Sequence, residues 1–422
     1  MENNNKIRMG IGFATGRKNF QSVLRTYAYN WKECGLINND NISLNLIVAY
    51  DLKYYNTQID DYINISDDLL TMIDNTYFIG DLEIEDEINN LISNDILNED
   101  DAKLLFGRGY AAKRNAVLYM AIKNNIDYLL FLDDDEYPVA VTKTRSTAVW
   151  GGQSILMTHL NNIVDADITN GYHCGYISPI PYLEFNNILK EQDFKLFIEA
   201  ISNDIINWDS ICSVMSNGGV TYADTKILMS DEPEEVVEVN HAKFISGSNL
   251  CINLKNPDRV FPFYNPPGAR GEDTFLSTCL NQRKVLRVPC YAFHDGFSTY
   301  QHLMDGVLPS KLNHIEANSG QIVERFYKAC IGWVRYKPLY LYITQREDYE
   351  NKIFEVKKNL SLTLSKVSNY FGVEKFQNIL KELEYYDKHV RRHYEQFYKT
   401  KVSWKQLIDS INFKNETLLA SK

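Results

Sequence analysis

The stretch YLLFLDDDEYP, residues 128–138, decides how the rest of the chain is read. Five apolar residues in a row predict a strand buried on both faces, the pattern of a parallel sheet covered by helices. Aspartates are poor strand formers, so the strand stops at Leu132 and the run Asp133-Asp134-Asp135-Glu136 begins at its carboxyl end. Adjacent carboxylates repel one another unless water or a cation neutralises them. In open α/β sheets, ligands bind outside the carboxyl ends of the strands. An acidic cluster in that position is therefore a candidate metal and phosphate site, whereas the same residues elsewhere would read as a solvated turn.

Working outward, residues 109–123 (GYAAKRNAVLYMAIK) carry a strong helix pattern that Asn124-Asn125 closes. Residues 7–14 read as a first strand, 20–34 as a helix with Val23, Leu24, Tyr27, Ala28 and Trp31 on one face, and 42–50 (ISLNLIVAY) as a second strand ending at Asp51. Strand, helix, apolar strand opens an α/β fold with a mostly parallel central sheet flanked by helices. Strands are also expected within 168–181 and 244–254, with a helix from Asp273 to Leu280 behind the Pro/Gly loop 262–271. From about Ile315 the pattern is helical and strandless, with helices expected over 353–371, 374–398 and 404–411. Residues 1–310 are thus expected to form one α/β unit and 311–422 a helical C-terminal extension.

The 422 residues carry a formal charge of −11, with 45% hydrophobic and 23% charged residues. That composition belongs to a folded globular protein and excludes a disordered or collagen-like chain. Residues 54–102 hold 14 acidic and no basic side chains, while 311–422 hold 20 basic and 13 acidic ones. Apolar spacing around Leu69, Leu70, Ile73, Leu91, Ile92 and Ile96 suggests that the acidic segment is a helical insertion after the second strand. The polar start Met1-Glu-Asn-Asn-Asn lacks the apolar core of a signal peptide, and no run reaches the ~18 apolar residues of a membrane span. Seven scattered cysteines without a C-x-x-C pair read as reduced thiols of a cytoplasmic protein.

Lys113-Arg114-Asn115 on a helix, followed by a strand that ends in Asp133-Asp134-Asp135, resembles the GT-A-fold glycosyltransferases, particularly the inverting family-2-like group, which has Ala-Arg-Asn and then Asp-x-Asp in this order. The resemblance covers roughly residues 7–300. It implies a Rossmann-like GT-A fold and a metal-dependent transfer of sugar from a nucleoside-diphosphate donor, UDP foremost, to a sugar or glycoconjugate acceptor. Enzymes of this kind serve bacterial surface polysaccharide or glycoconjugate assembly. By resemblance, Asp133 and Asp134 face the nucleotide, while Asp133, Asp135 and His294 of His294-Asp295-Gly296 hold Mn²⁺ or Mg²⁺. Asp273 of Arg270-Gly271-Glu272-Asp273 is the general base, with Glu272 beside it on the acceptor side. The turn Ser246-Gly247-Ser248-Asn249 lies near the acceptor. Asp51 contacts the nucleobase, and Thr15 and Arg17, with Arg114, serve the diphosphate or base; the family's usual Pro-Thr-Tyr after the first strand is absent here.

The residue chemistry agrees with these roles. Hard divalent ions take carboxylate oxygens and substrate phosphates, arginine binds phosphate bidentately, and a positioned carboxylate can take the proton of an attacking hydroxyl. Each motif also has a bland reading. Glu272-Asp273 suits a helix N-terminus through the dipole, Gly247 suits any tight turn, and Arg17 and Arg114 suit a solvated surface.

Four rival functions share parts of this pattern. A retaining enzyme shares the fold and the Asp-x-Asp, and a nucleotidyltransferase also uses carboxylates at strand ends. Gly10-Ile-Gly12-Phe-Ala-Thr-Gly16 mimics a dinucleotide fingerprint, although Asp51 comes too late for it. A degenerate domain that only binds nucleotide-sugar is the non-enzymatic option. Nucleic acid is not an expected partner. The basic tail, with aromatics among lysines and arginines at 326–338, reads either as a helical cap on the α/β unit or as a homodimer or peripheral membrane contact at the inner face of the membrane.

Overall fold

The computed structural model describes residues 6–202, 208–300, 303 and 306–420, with backbone alone over 414–420. The first five residues lie outside it. The strands are β1 (Ile7–Thr15), β2 (Ile42–Tyr50), β3 (Asn75–Ile79), β4 (Tyr128–Leu132), β5 (Glu136–Tyr137), β6 (Val139–Lys143), β7 (Ala148–Gly152), β8 (Ile168–Gly175), β9 (Glu234–Glu235), β10 (Leu250–Asn253) and β11 (Val285–His294). Nine of them make one sheet in the order β3-β2-β1-β4-β10-β8-β11-β5, with β9 also on β11, and β6 pairs β7 as a separate hairpin.

β3, β2, β1 and β4 run parallel. Their near-continuous apolar sequences follow from burial on both faces. Leu44, Leu46, Val48, Tyr128, Leu130 and Leu132 point into one core with the helix Phe20–Glu33. Ile47, Ala49, Leu129 and Phe131 point into the other, against the helix Tyr110–Lys123. This is the period-2 alternation of a covered strand. Gly10 and Gly12 belong to β1 itself. A Cβ on Gly12 would sit 2.7 Å from Val117 Cγ1, so this glycine lets the helix approach the sheet and the dinucleotide-loop reading loses its basis.

The sheet is mixed rather than mostly parallel. β10 enters between β4 and β8 antiparallel to both, while β8 and β11 are parallel. The chain leaves β8, makes a long excursion and returns at the same end of the sheet, so β10 must run backward. Leu250 then pairs with Phe131, which delivers the turn 246–249 to the carboxyl end of β4. The short β5 pairs His294 with Glu136 and closes the same corner.

The acidic segment is not purely helical. Asn75–Ile79 within it is an edge strand of the main sheet, so the segment is part of the α/β framework. Its helices Asp81–Ser93 and Glu99–Phe106 pack on each other, and the second packs on Tyr110–Lys123. Its charge is partly met by cations from elsewhere. Glu87 pairs with Lys123 at 2.7 Å, Asp81 with Lys113 at 2.9 Å, and Asp101 with Lys399 of the tail.

The tail holds the helices Gly320–Thr344, Tyr349–Phe371, Asn378–Lys388 and Val390–Ala420. The single helix expected over 374–398 is divided at His389, and its second half continues through 404–411 as one long helix. Phe326, Cys330 and Val334 share a core with Phe194, Phe197 and Ile198 of the helix Glu191–Ile201, and Trp404 and Leu407 join the core under β4. Phe326, Tyr336 and Lys337, in the mixed aromatic and basic stretch, are buried. No helix among the described residues is long and apolar enough to cross a membrane. All seven cysteines are unpaired.

Candidate functional site

The carboxyl ends of β1, β4 and β11 converge, with the turn before β10 and the start of the helix Glu272–Ser277 closing the opposite side. Arg114 is the hub. It is 1% exposed and sits one turn into its helix, stacked on Tyr110 and beside Phe131 and Phe263. Its Nη2 lies 3.1 Å from Asp133 Oδ1, its Nε 3.6 Å from Glu272 Oε1, and its Nη1 donates to the carbonyl of Gly247. A Cβ on Gly247 would meet Arg114 Nη2 at 3.1 Å, so the glycine makes room for the guanidinium. The neighbouring motif residues are also engaged. Lys113 reaches Asp81, and Asn115 holds the loop before the Glu272 helix through Phe263 N at 2.7 Å and Phe263 O at 2.9 Å.

The three aspartates diverge. Asp133 accepts from Tyr110 OH at 2.9 Å and pairs with Arg114. Asp134, 7% exposed, accepts from Thr15 Oγ1 and pairs with Arg17 Nη1 at 3.1 Å. Asp135 Oδ2 lies 2.5 Å from Arg17 Nη1 and 3.5 Å from His294 Nε2. Asp51 caps the adjoining loop, accepting from Lys53 N at 2.9 Å, and its carbonyl lies against Gly16. The structure therefore gathers Thr15, Arg17, Asp134, Asp135 and His294 on one side, and Asp133, Arg114, Gly247, Glu272 and Asp273 on the other.

Electrostatics follow from this arrangement. Burial drives Asp134 up to about 6, with Asp135 adding and Arg17 opposing. Burial acts upward on Asp135 too, but His294 and Arg17 outweigh it and hold that carboxyl far below the usual range. Burial pulls His294 down, yet Asp135 carries it up to about 9. Burial and the Asp273 charge push Glu272 up to about 7 against the pull of Arg114. Burial also raises Asp273, whose Oδ1 accepts from Thr274 N at 2.8 Å.

The expected metal trio is not assembled. Asp133 is bonded to Tyr110 and Arg114, and no group of three or more His, Cys, Asp or Glu side chains among the described residues is gathered to hold a metal ion. Asp135 and His294 remain as a pair, and their chemistry fits a cation. His294 Nδ1 donates to the Tyr176 carbonyl at 2.8 Å, which in the neutral ring leaves Nε2 as the lone-pair donor facing Asp135. Backbone orientation of the far ring nitrogen is the usual support of a metal-bound histidine. One oxygen and one imidazole donor suit Mn²⁺ better than Mg²⁺.

The turn behind Gly247 is built inward. Ser248 Oγ donates to Glu136 Oε1 at 2.6 Å, with His173 Nε2 3.2 Å from the same oxygen. Asn249 is 0% exposed; its Oδ1 accepts from His159 Nε2 at 2.9 Å and its Nδ2 donates to Tyr172 O at 3.1 Å. Both side chains, expected to face an acceptor, are instead bonded into the core and shape the turn. Sequence reading missed Tyr110, whose position one turn before Arg114 was a usable signal, and Arg325 of the tail helix, for which local pattern offers none. Burial pulls Arg325 down to about 10 although Asp135 opposes, and Arg17 and Arg270 add to the fall.

Neither a search of protein-family models nor a search of curated proteins finds a match to this chain.

Proposed function

We propose that the protein is a metal-dependent glycosyltransferase that moves a sugar from a nucleoside-diphosphate donor to a hydroxyl acceptor with inversion. The observation that carries the reading is Arg114: one buried guanidinium ties the strand-end carboxylate Asp133 to the Glu272–Asp273 helix start. The strand-end carboxylate Asp133 and the candidate base thereby share one wall, across from the Asp135–His294 pair.

In this reading residues 1–310 form the catalytic unit and the helices of 311–422 brace it. Asp135 and His294 hold a divalent cation, which when bound offsets negative charge on the leaving diphosphate. Asp51 and the Thr15–Arg17 loop receive the nucleotide. Asp273 takes the acceptor's hydroxyl proton as that oxygen bonds to the anomeric carbon. The bond from that carbon to the diphosphate breaks on the opposite face, its electron pair leaving with the phosphate oxygen. Burial raises the affinity of Asp273 for a proton, which favours its work as a base at neutral pH.

The test uses two variants of the full chain with UDP- and GDP-sugars and Mn²⁺. Asp273→Asn should abolish transfer while donor binding survives, and Asp135→Ala should lose metal-dependent donor binding. Full transfer by the first removes the base, an unchanged metal dependence in the second removes the ligand, and absence of donor binding or hydrolysis by the unaltered protein defeats the reading.

A further inference from the structure

The motifs leave one group of charges unexplained. Arg325, on the tail helix Gly320–Thr344, turns its half-buried guanidinium into the Asp135–His294 corner. Its guanidinium carbon stacks 4.0 Å from the centre of the Phe297 ring. Gly296 leaves the space for it: a Cβ there would lie 2.1 Å from Arg325 Nη2 and 2.6 Å from His294 Cε1. Arg325 is therefore packed against the turn that carries His294.

Arg270 reaches the same helix face. Its stem crosses Gly332, where a Cβ would meet Arg270 Cδ at 2.9 Å. Residues 325 and 332 are seven apart, two helical turns, and so lie one above the other. On the far side Arg17 is anchored to Asp134 and Asp135. Among the described residues, no carboxylate comes within ion-pair distance of Arg270 or Arg325. Unlike these two, Arg335 on the same helix is bound to Glu382 at 2.8 Å.

Arg270 is exposed, but Arg325 is partly desolvated with Arg17 and Arg270 adding like charge, and such a guanidinium without an ion pair is unfavourable unless a ligand supplies the charge. Arginine's planar fork matches phosphate oxygens in pairs. We propose that Arg17, Arg270 and Arg325 form a cradle for a diphosphate group, with the helical tail lending the phosphate-positioning residue Arg325. Identification of that group as the donor's diphosphate rests on the proposed transfer function.

The test is titration calorimetry of the full chain with inorganic pyrophosphate at low salt in EDTA, repeated with UDP. Wild type should bind both. Arg325→Gln and Arg270→Gln should each weaken binding about tenfold, Arg325→Lys should recover part of the loss, and Arg335→Gln should leave binding unchanged, with circular dichroism confirming the fold of each. Failure of wild type to bind pyrophosphate overturns the cradle, as does equal affinity in Arg325→Gln or an equal loss in Arg335→Gln. Displacement of pyrophosphate by UDP supports the donor assignment. Simultaneous binding of the two overturns that assignment in favour of a phosphorylated acceptor. If pyrophosphate binds through Arg325 but no nucleotide-sugar is bound or hydrolysed, the transfer function fails and the cradle stands.

Discussion

Arg17 Nη1 stands 2.5 Å from Asp135 Oδ2, nearer than His294 Nε2 at 3.5 Å. Both approach the same carboxylate oxygen, so a divalent cation held there by Asp135 and His294 competes with the guanidinium. Metal binding must displace it, so Arg17→Gln should tighten Mn²⁺ binding by roughly tenfold, the effect of removing a competing pair worth about 1.4 kcal/mol. Calorimetric titration with Mn²⁺ in the absence of nucleotide reads this directly. Equal or weaker affinity in the variant would mean that Arg17 does not compete for the site.

Arg114 is the only cation in ion-pair range of Asp133 and Glu272 among the described residues. Arg114→Met leaves their charges without it in a desolvated site, a loss on the order of 3–5 kcal/mol. The loss should depend on pH. Glu272 is raised to about 7, above its unfolded value, so the folded state binds the extra proton. Its contribution to stability is full below about 4.5 and disappears as pH rises through about 7. Without Arg114 this behaviour strengthens, so urea unfolding in EDTA should show Arg114→Met closest to wild type at pH 5 and furthest from it at pH 8. A pH-independent difference would show that the pairing does not set the energetics of the hub.

Much of this framework was legible in the sequence because its signals are local. YLLFL followed by aspartates located β4 and its end, and ISLNLIVAY bounded β2 to the residue. What escaped was set by distant partners. NTYFI in the acidic segment is strand only because β2 offers it an edge, and its flanking charges hid it. The direction of β10 depends on where a long excursion returns. Ser248 and Asn249 read as part of a turn beside an acceptor, yet their partners Glu136, His173 and His159 arrive from 75 to 112 positions away. His389 divides two helices without glycine or proline to announce it.

Gly12 tests the packing of the helix that carries Arg114. Gly12→Ala would place its Cβ 2.7 Å from Val117 Cγ1 and 3.2 Å from Leu129 Cδ1. Overpacking of this kind destabilises by about 1–3 kcal/mol. Adding Val117→Ala removes the nearest obstacle, so the double variant should be less destabilised than the sum of its single variants in urea unfolding. Strict additivity would show that the glycine serves something other than close approach.

His159 gives the acid limb of the stability profile. It is buried between Thr169 Oγ1, 2.6 Å from Nδ1, and Asn249 Oδ1, 2.9 Å from Nε2. Asn249 Nδ2 is committed to Tyr172 O, so Asn249 Oδ1 accepts from Nε2–H and the threonine hydroxyl donates to Nδ1. The ring is neutral in this arrangement, and burial lowers it from 6.5 to about 4 although the bond to Asn249 opposes. The unfolded chain therefore binds the extra proton between those values. Stability is fully present above about 6.5 and falls as pH drops toward 4, by about 3 kcal/mol. His159→Gln retains a donor and an acceptor but cannot titrate, so its urea midpoint should change less between pH 7 and pH 4 than that of wild type. Parallel profiles for the two proteins would assign the acid sensitivity to other groups, His393 first among them, since burial lowers it to about 4 as well.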